Sequence, residues 1–245
     1  MFDLTHGALF NGIGGFPLAA AWAGITTRWI VEINSYCNNQ FKKQFPNATQ
    51  FTDIRTVRNL PYVDIISGGD PCQPNSLSGK RLGQEDPRFL WPEMLRIIVE
   101  TRPRCVLNEN VSGSISNGVL DQKISDLESA GYSCWPPLVI PASAVGAFHK
   151  RERVWLIAYT DVQGRERVLC EHPGSCTQTS RPEYPLDAQG NAFLQFEERL
   201  GEPAVFGVPH GIPTAVDQLG AFGNAIDPRI AFEIFKAIKE AITKN

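Results

Sequence analysis

In the stretch DIISGGDPCQPNS, residues 64–76, an apolar run ends in two glycines and a proline-stiffened turn then displays a cysteine, Cys72. A structural cysteine sits inside an apolar run, whereas one just past a strand end, among polar neighbours, has the setting of a nucleophile. Glu109, in NENVSG, follows the apolar run 104–107 directly; an acid there is either a functional group or a structural hydrogen-bonding one. Arg151 and Arg153, in HKRERVWLIAY, alternate as a strand begins, which would turn both to one side. Such a pair is solvated charge unless it borders a site. In LFNGIGGFPLAAAWAG, Gly12, Gly14 and Gly15 stand between a strand and a helix, a turn that is either merely tight or open to the close approach of a ligand. Glu32, at the end of the next apolar run, lies where a doubly wound nucleotide site keeps an acid for ribose hydroxyls. Asp53, in FTDIRTV, has two readings, an acceptor for an adenine amino group or the cap of a turn.

These groups need a frame. Apolar or β-branched runs at 4–10, 27–33, 63–67, 104–107, 133–140 and 153–159 read as strands, with a short one ahead of Asp53. Segments 17–23, 35–44, 92–100 and 120–130 have helical composition, and Leu95, Ile98 and Val99 keep a three-to-four spacing. Strands alternating with helices predict an α/β fold with a mostly parallel, doubly wound sheet. From Thr160 to His210 the pattern dissolves into Gly, Pro, Gln, Ser and scattered charge, which suits a functional insertion better than a loop. Order returns near Asp217, and Ile230, Ile234, Ile238 and Ile242 mark a closing amphipathic helix over 228–242. Three regions follow: a catalytic and cofactor-binding domain at 1–160, a short recognition region at 161–210, and a segment at 211–245 packing back on the first.

Bulk composition narrows the class. The chain has 245 residues, of which 42% are hydrophobic and 20% charged, enough for one sizeable core. The absence of a long apolar run and of a basic-then-apolar leader predicts a cytoplasmic protein without membrane association. Six cysteines, at 37, 72, 105, 134, 170 and 176, have no regular spacing and suit reduced thiols. Cys170, His172 and Cys176 cluster without a fourth ligand, so no metal is expected. A formal charge of −3 gives no global basic footprint, and any nucleic-acid partner would need a locally positive cleft.

Taken in order, these stretches resemble the motifs of the cytosine-specific C5 DNA methyltransferases, over roughly residues 4–159 and 211–238. Phe10-Asn11-Gly12-Ile13-Gly14-Gly15 resembles the cofactor glycine motif, Pro71-Cys72-Gln73 the catalytic motif, Glu109-Asn110-Val111 the acid motif, and Arg151-Glu152-Arg153 the arginine motif. Gly223-Asn224-Ala225-Ile226 is similar to the late motif that returns to the cofactor. The resemblance implies the sheet of S-adenosylmethionine-dependent methyltransferases with a small irregular recognition insertion. It also implies Cys72, Glu109, Arg151 and Arg153 as catalytic residues. Phe10, Gly12, Gly14, Gly15, Glu32, Asp53 and Asn224 would hold S-adenosylmethionine. Gln73, Ser76, Arg165, Arg167 and Arg181 would contact the substrate, double-stranded DNA with a flipped cytosine. Residues 73–88 would close over that base. A monomer is expected, and a cognate restriction nuclease is a partner the resemblance allows.

The sequence departs from the family pattern at Asp70, Asn75 and His149. A carboxylate two residues before the cysteine raises the thiol's pKa unless it is turned away or paired, for example with Lys80 or Arg81. Cytosine methylation in RNA, transfer of a group other than methyl, and a catalytically silent nucleic-acid-binding relic are alternatives; intact Cys72, Glu109, Arg151 and Arg153 argue against the last.

Overall fold

Ile65 and Ile66 are both fully buried although adjacent residues of a strand face opposite ways, so the sheet is covered on both sides. A computed structural model describes residues 3–71, 89–116, 118–147, 151–160 and 225–243. Its strands are β1 (Thr5–Leu9), β2 (Thr26–Val31), β3 (Thr49–Phe51), β4 (Ile65–Gly68), β5 (Cys105–Val111), β6 (Tyr132–Cys134), β7 (Leu138–Ile140) and β8 (Arg153–Thr160). Its helices are α1 (Gly15–Trp22), α2 (Ser35–Gln44), α3 (Trp91–Thr101), α4 (Gly113–Ser116), α5 (Val119–Ser129) and α6 (Pro228–Thr243). Among the described residues, no helix is long and apolar enough to cross a membrane.

The strand order is β3-β2-β1-β4-β5-β8-β6, with β7 also paired to β8. β1 to β5 run parallel, and β8 runs antiparallel to β5, β6 and β7. The sheet is therefore α/β, mostly parallel and doubly wound, reversing its winding between β1 and β4. One apolar layer packs Trp91, Met94, Ile97 and Ile98 of α3 and Leu120 and Leu127 of α5 over the sheet. The other packs Phe16, Ala19 and Ala20 of α1 and Ile230, Ile234, Phe235 and Ile238 of α6 on the opposite face.

Three details differ from the sequence expectations. The run 133–140 forms two short strands rather than one, because Pro136 and Pro137 interrupt it and proline donates no ladder hydrogen bond. In α3 the buried stripe is Trp91, Met94, Ile97, Ile98 and Thr101, whereas Val99 is 40% exposed. Finally, β5 continues through the polar residues Asn108, Glu109 and Asn110, so Glu109 lies within the strand rather than after it.

Candidate active site

Register brings the site together. Leu9 pairs with Val31 and with Gly68, and Gly68 with Asn108, so β1, β2, β4 and β5 end along one edge of the sheet. Because β8 is antiparallel, its first residue rather than its last reaches that edge: Arg153 pairs with Val111. Residues far apart in the chain thereby meet beyond the carboxyl ends of the parallel strands, beside the point where the winding reverses.

Alternation along β5 divides its polar end between two faces. Cys105 and Leu107 belong to the layer of α1 and α6, and Glu109 follows them into a cleft lined also by Phe10, Gly12, Gly15, Gly69 and Ile226. Glu109 Oε1 lies 3.0 Å from Arg153 Nε. A Cβ on Gly69 would stand 2.9 Å from Glu109 Oε2, so only glycine leaves the carboxyl its place. Burial pushes the Glu109 carboxyl up from 4.5 to about 7; Arg153 and Arg151 pull it down, Asp70 adds to the rise and Lys123 opposes it, but burial dominates. A carboxyl with that value both gives and takes a proton near neutral pH. Arg151 does not share the strand alternation expected of it. It precedes β8 with a φ of 26°, and its Nη2 donates to the Ala225 carbonyl at 2.7 Å. It still reaches the acid electrostatically.

The glycine turn forms the other wall. Glu32, at the end of β2, accepts from the Gly12 amide at 2.7 Å and, through its second oxygen, from the Asn34 amide at 2.8 Å. It thus holds the turn in shape. Gly14 adopts a φ of 101°, and a Cβ on Gly15 would come within 2.7 Å of Ile226 Cγ1, so the late segment packs directly on the turn. A Cβ on Gly12 would meet nothing within 4 Å. Asn11 Oδ1 is buried and has no hydrogen-bond partner among the described residues. An open stretch of backbone beside an unsatisfied acceptor fits a hydrogen-bonding small molecule such as a nucleoside. Asp53 lies in a turn after β3, where its carboxylate accepts from the Arg55 amide at 3.0 Å and pairs with the Arg55 guanidinium at 2.8 Å.

On the opposite face, Asn108 and Asn110 point towards Asp70, which follows β4. Asp70 is buried and pairs with Lys123 of α5, a residue also removed from water. Asn108 Nδ2 donates to Asp70 Oδ1 at 2.9 Å and to the Gly68 carbonyl at 3.0 Å, and Lys123 Nζ donates to Asn108 Oδ1 at 2.9 Å. The carboxylate expected to trouble the thiol is therefore paired from an unforeseen direction. Lys80 and Arg81 lie outside the described residues.

Cys72, Gln73, Ser76, Arg165, Arg167, Arg181 and Asn224 also lie outside the described residues. The structure brings together Phe10, Gly12, Gly15, Glu109, Arg151 and Arg153 around one cleft, with Gly14 and Glu32 shaping its turn. Sequence reasoning missed Asn11, Gly69 and Lys123 as contributors. Lys123 was detectable in principle, since it falls three residues after Leu120 and four before Leu127, on the apolar stripe of its helix. Two of the described thiols are poor nucleophiles by setting: burial pushes Cys105 up to about 12 and Cys134 up to about 11.

The sequence profile described as C-5 cytosine-specific DNA methylase matches residues 4–189. The chain belongs to the C-5 cytosine-specific DNA methylase family. Among relatives, the Type II methyltransferase M.HgiCII of Herpetosiphon aurantiacus is 28% identical over 241 residues, covering 93% of this chain and 51% of that protein. The Type II methyltransferase M.HhaI of Haemophilus parahaemolyticus is 34% identical over 157 residues, covering 62% and 47%. Among solved structures, DNMT2 of Spodoptera frugiperda aligns with a TM-score of 0.55 at 25% identity, over 67% of this chain and 53% of that one. The chain thus spans about half the length of M.HgiCII and M.HhaI. The family's methyl donor is S-adenosylmethionine.

Proposed function

We propose that the protein transfers a methyl group from S-adenosylmethionine to carbon 5 of cytosine in DNA, through a covalent adduct with Cys72 on a base turned out of the duplex. The observation that carries the reading is the buried Glu109, poised near pH 7 and ion-paired to Arg153, beside a glycine-lined cleft at the carboxyl edge of the sheet. In the proposed reaction the Cys72 thiolate adds to carbon 6 while Glu109 gives its proton to ring nitrogen 3, leaving carbon 5 electron-rich. When bound, S-adenosylmethionine supplies an electrophilic methyl on a sulfonium. Gly12, Gly14, Gly15, Phe10 and Glu32, with the late segment around Asn224, would hold it against that carbon. Arg153 and Arg151 hold the base's carbonyl oxygen and favour the anionic thiol. Loss of the carbon 5 proton to water, cleavage of the sulfur–carbon 6 bond with return of the electron pair to the Cys72 sulfur, and return of the nitrogen 3 proton to Glu109 restore the neutral aromatic ring. The ring faces are inaccessible inside a stack, which is the reason for a flipped base.

Relatives named Type II methyltransferases favour DNA over RNA as the substrate. The test is trapping on a duplex carrying 5-fluorocytosine, whose carbon 5 has no removable proton. Wild type should form a stable protein–DNA adduct dependent on S-adenosylmethionine, and Cys72→Ala should form none while still binding the cofactor. No adduct under conditions of turnover would overturn the mechanism.

A further inference from the structure

A lysine removed from water is costly unless its charge meets an opposite one and its protons find acceptors. Lys123 meets both conditions, through Asp70 and Asn108, and its Nζ also lies 5.0 Å from the centre of the Trp91 ring. Buried ion pairs can often be replaced by apolar residues of similar volume without loss of stability, so stability alone does not account for the pair. Asp70 precedes Cys72 by two residues, within about 7 Å of extended chain. An uncompensated carboxylate at that range opposes formation of a thiolate. Resting on the reading of Cys72 as the nucleophile, we propose that Lys123 is a positioning residue for the transfer: it cancels the charge of Asp70 and ties the end of β4, where the cysteine turn leaves the sheet, to α5.

The charges of the pair are matched, and Glu109 is an ionisable neighbour that feels both of them. From β5 the pair faces Asn108 and Asn110, with Glu109 on the far side of the strand; from α3 it faces Trp91 and Met94. One turn along α5, Asp126 accepts from Trp91 Nε1 at 2.8 Å. The same helix therefore fixes Asp70, before the segment 72–88, and Trp91, after it.

The test titrates Cys72 in the full chain, following iodoacetamide alkylation against pH through the mass of the Cys72 peptide. Asp70→Asn leaves the lysine charge unbalanced and should lower the thiol's midpoint by about one pH unit. Lys123→Met leaves the carboxylate unbalanced and should raise it by about as much. The double variant should return to the wild-type midpoint. Loss of a mere brace would move both single variants the same way. Should Lys123→Met fail to fold, Asp70→Asn and the double variant carry the same sign test. An unmoved midpoint in Asp70→Asn, or a double variant that keeps the single variant's shift, overturns the proposal. Failed trapping on 5-fluorocytosine DNA would instead remove the nucleophile reading and leave this titration interpretable.

Discussion

Glu109→Gln should abolish methyl transfer and yet make the fold more stable in alkali. Burial holds the carboxyl at about 7 in the folded chain against 4.5 when exposed, so the folded state binds the proton more tightly. With the folded value raised, the group contributes stability below pH 4.5, and that contribution is lost as pH rises through 7. Each pH unit between the two values is worth about 1.4 kcal/mol, which gives about 2 to 3 kcal/mol between pH 5 and pH 8. Glutamine keeps the shape and carries no such term. In a chain of this size that difference corresponds to about 5 °C or more in Tm. The assay is thermal or urea unfolding of both proteins at pH 5, 6.5 and 8, with the variant gaining on wild type as pH rises. Other titrating groups are common to both proteins and cancel in the comparison. A gap that stays constant across pH, or that closes as pH rises, would refute the claim that Glu109 is held protonated by burial.

Other outcomes follow from the same geometry. His6, buried between Thr27 and Ser67 with its ring driven down to about 3 by burial, is neutral in the fold and protonated on unfolding below 6.5. Its contribution is intact above 6.5 and falls with acid by about 1.4 kcal/mol per pH unit, a slope that urea unfolding should find reduced in His6→Gln. Gly15→Ala should displace Ile226 and weaken S-adenosylmethionine binding in calorimetry, with Ile226→Ala restoring much of the loss. Glu32→Ala should cost cofactor binding about 1 to 3 kcal/mol, because the Gly12 turn loses its anchor as well as the ligand its acceptor; unchanged affinity would place the cofactor elsewhere. Exchanging residues 160–210 for the segment of a relative with a known target should transfer that target, read by sequencing modified cytosine. Retention of the parent site would put specificity in another part of the chain.

Much of this was legible in the sequence because it rests on local rules. The helix expected over 35–44 has those bounds, its Asn34 side chain accepting from the Cys37 amide as an N-cap should. The glycine turn and Glu32 were placed by the order of strand, turn and helix, and the late segment by its resemblance to the family's motif. What escaped depends on partners distant in the chain. Asn108 to Asn110 carry no apolar signal; they extend β5 by pairing with Leu156, Trp155 and Val154 of β8, while Asp70, Lys123 and Arg153 meet their side chains from other elements. The register of Arg153 follows from the direction of β8, which no pattern within the strand specifies. Asp70 read alone was a liability to the thiol, and its remedy lay 53 residues away on a helix.

The direction of β8 also fixes where its chain must travel. Arg153 begins at the catalytic edge, and Thr160, whose amide bonds to the Arg104 carbonyl, ends at the opposite edge of the sheet. The chain is back at the catalytic edge by Ala225 and Ile226, which touch Arg151 and Gly15. An eight-residue strand separates those edges by about 26 Å, a gap that about eight extended residues can just bridge. The 64 residues numbered 161–224 far exceed that minimum, so the return of the chain to Glu109 and Arg153 accounts for only a small part of them.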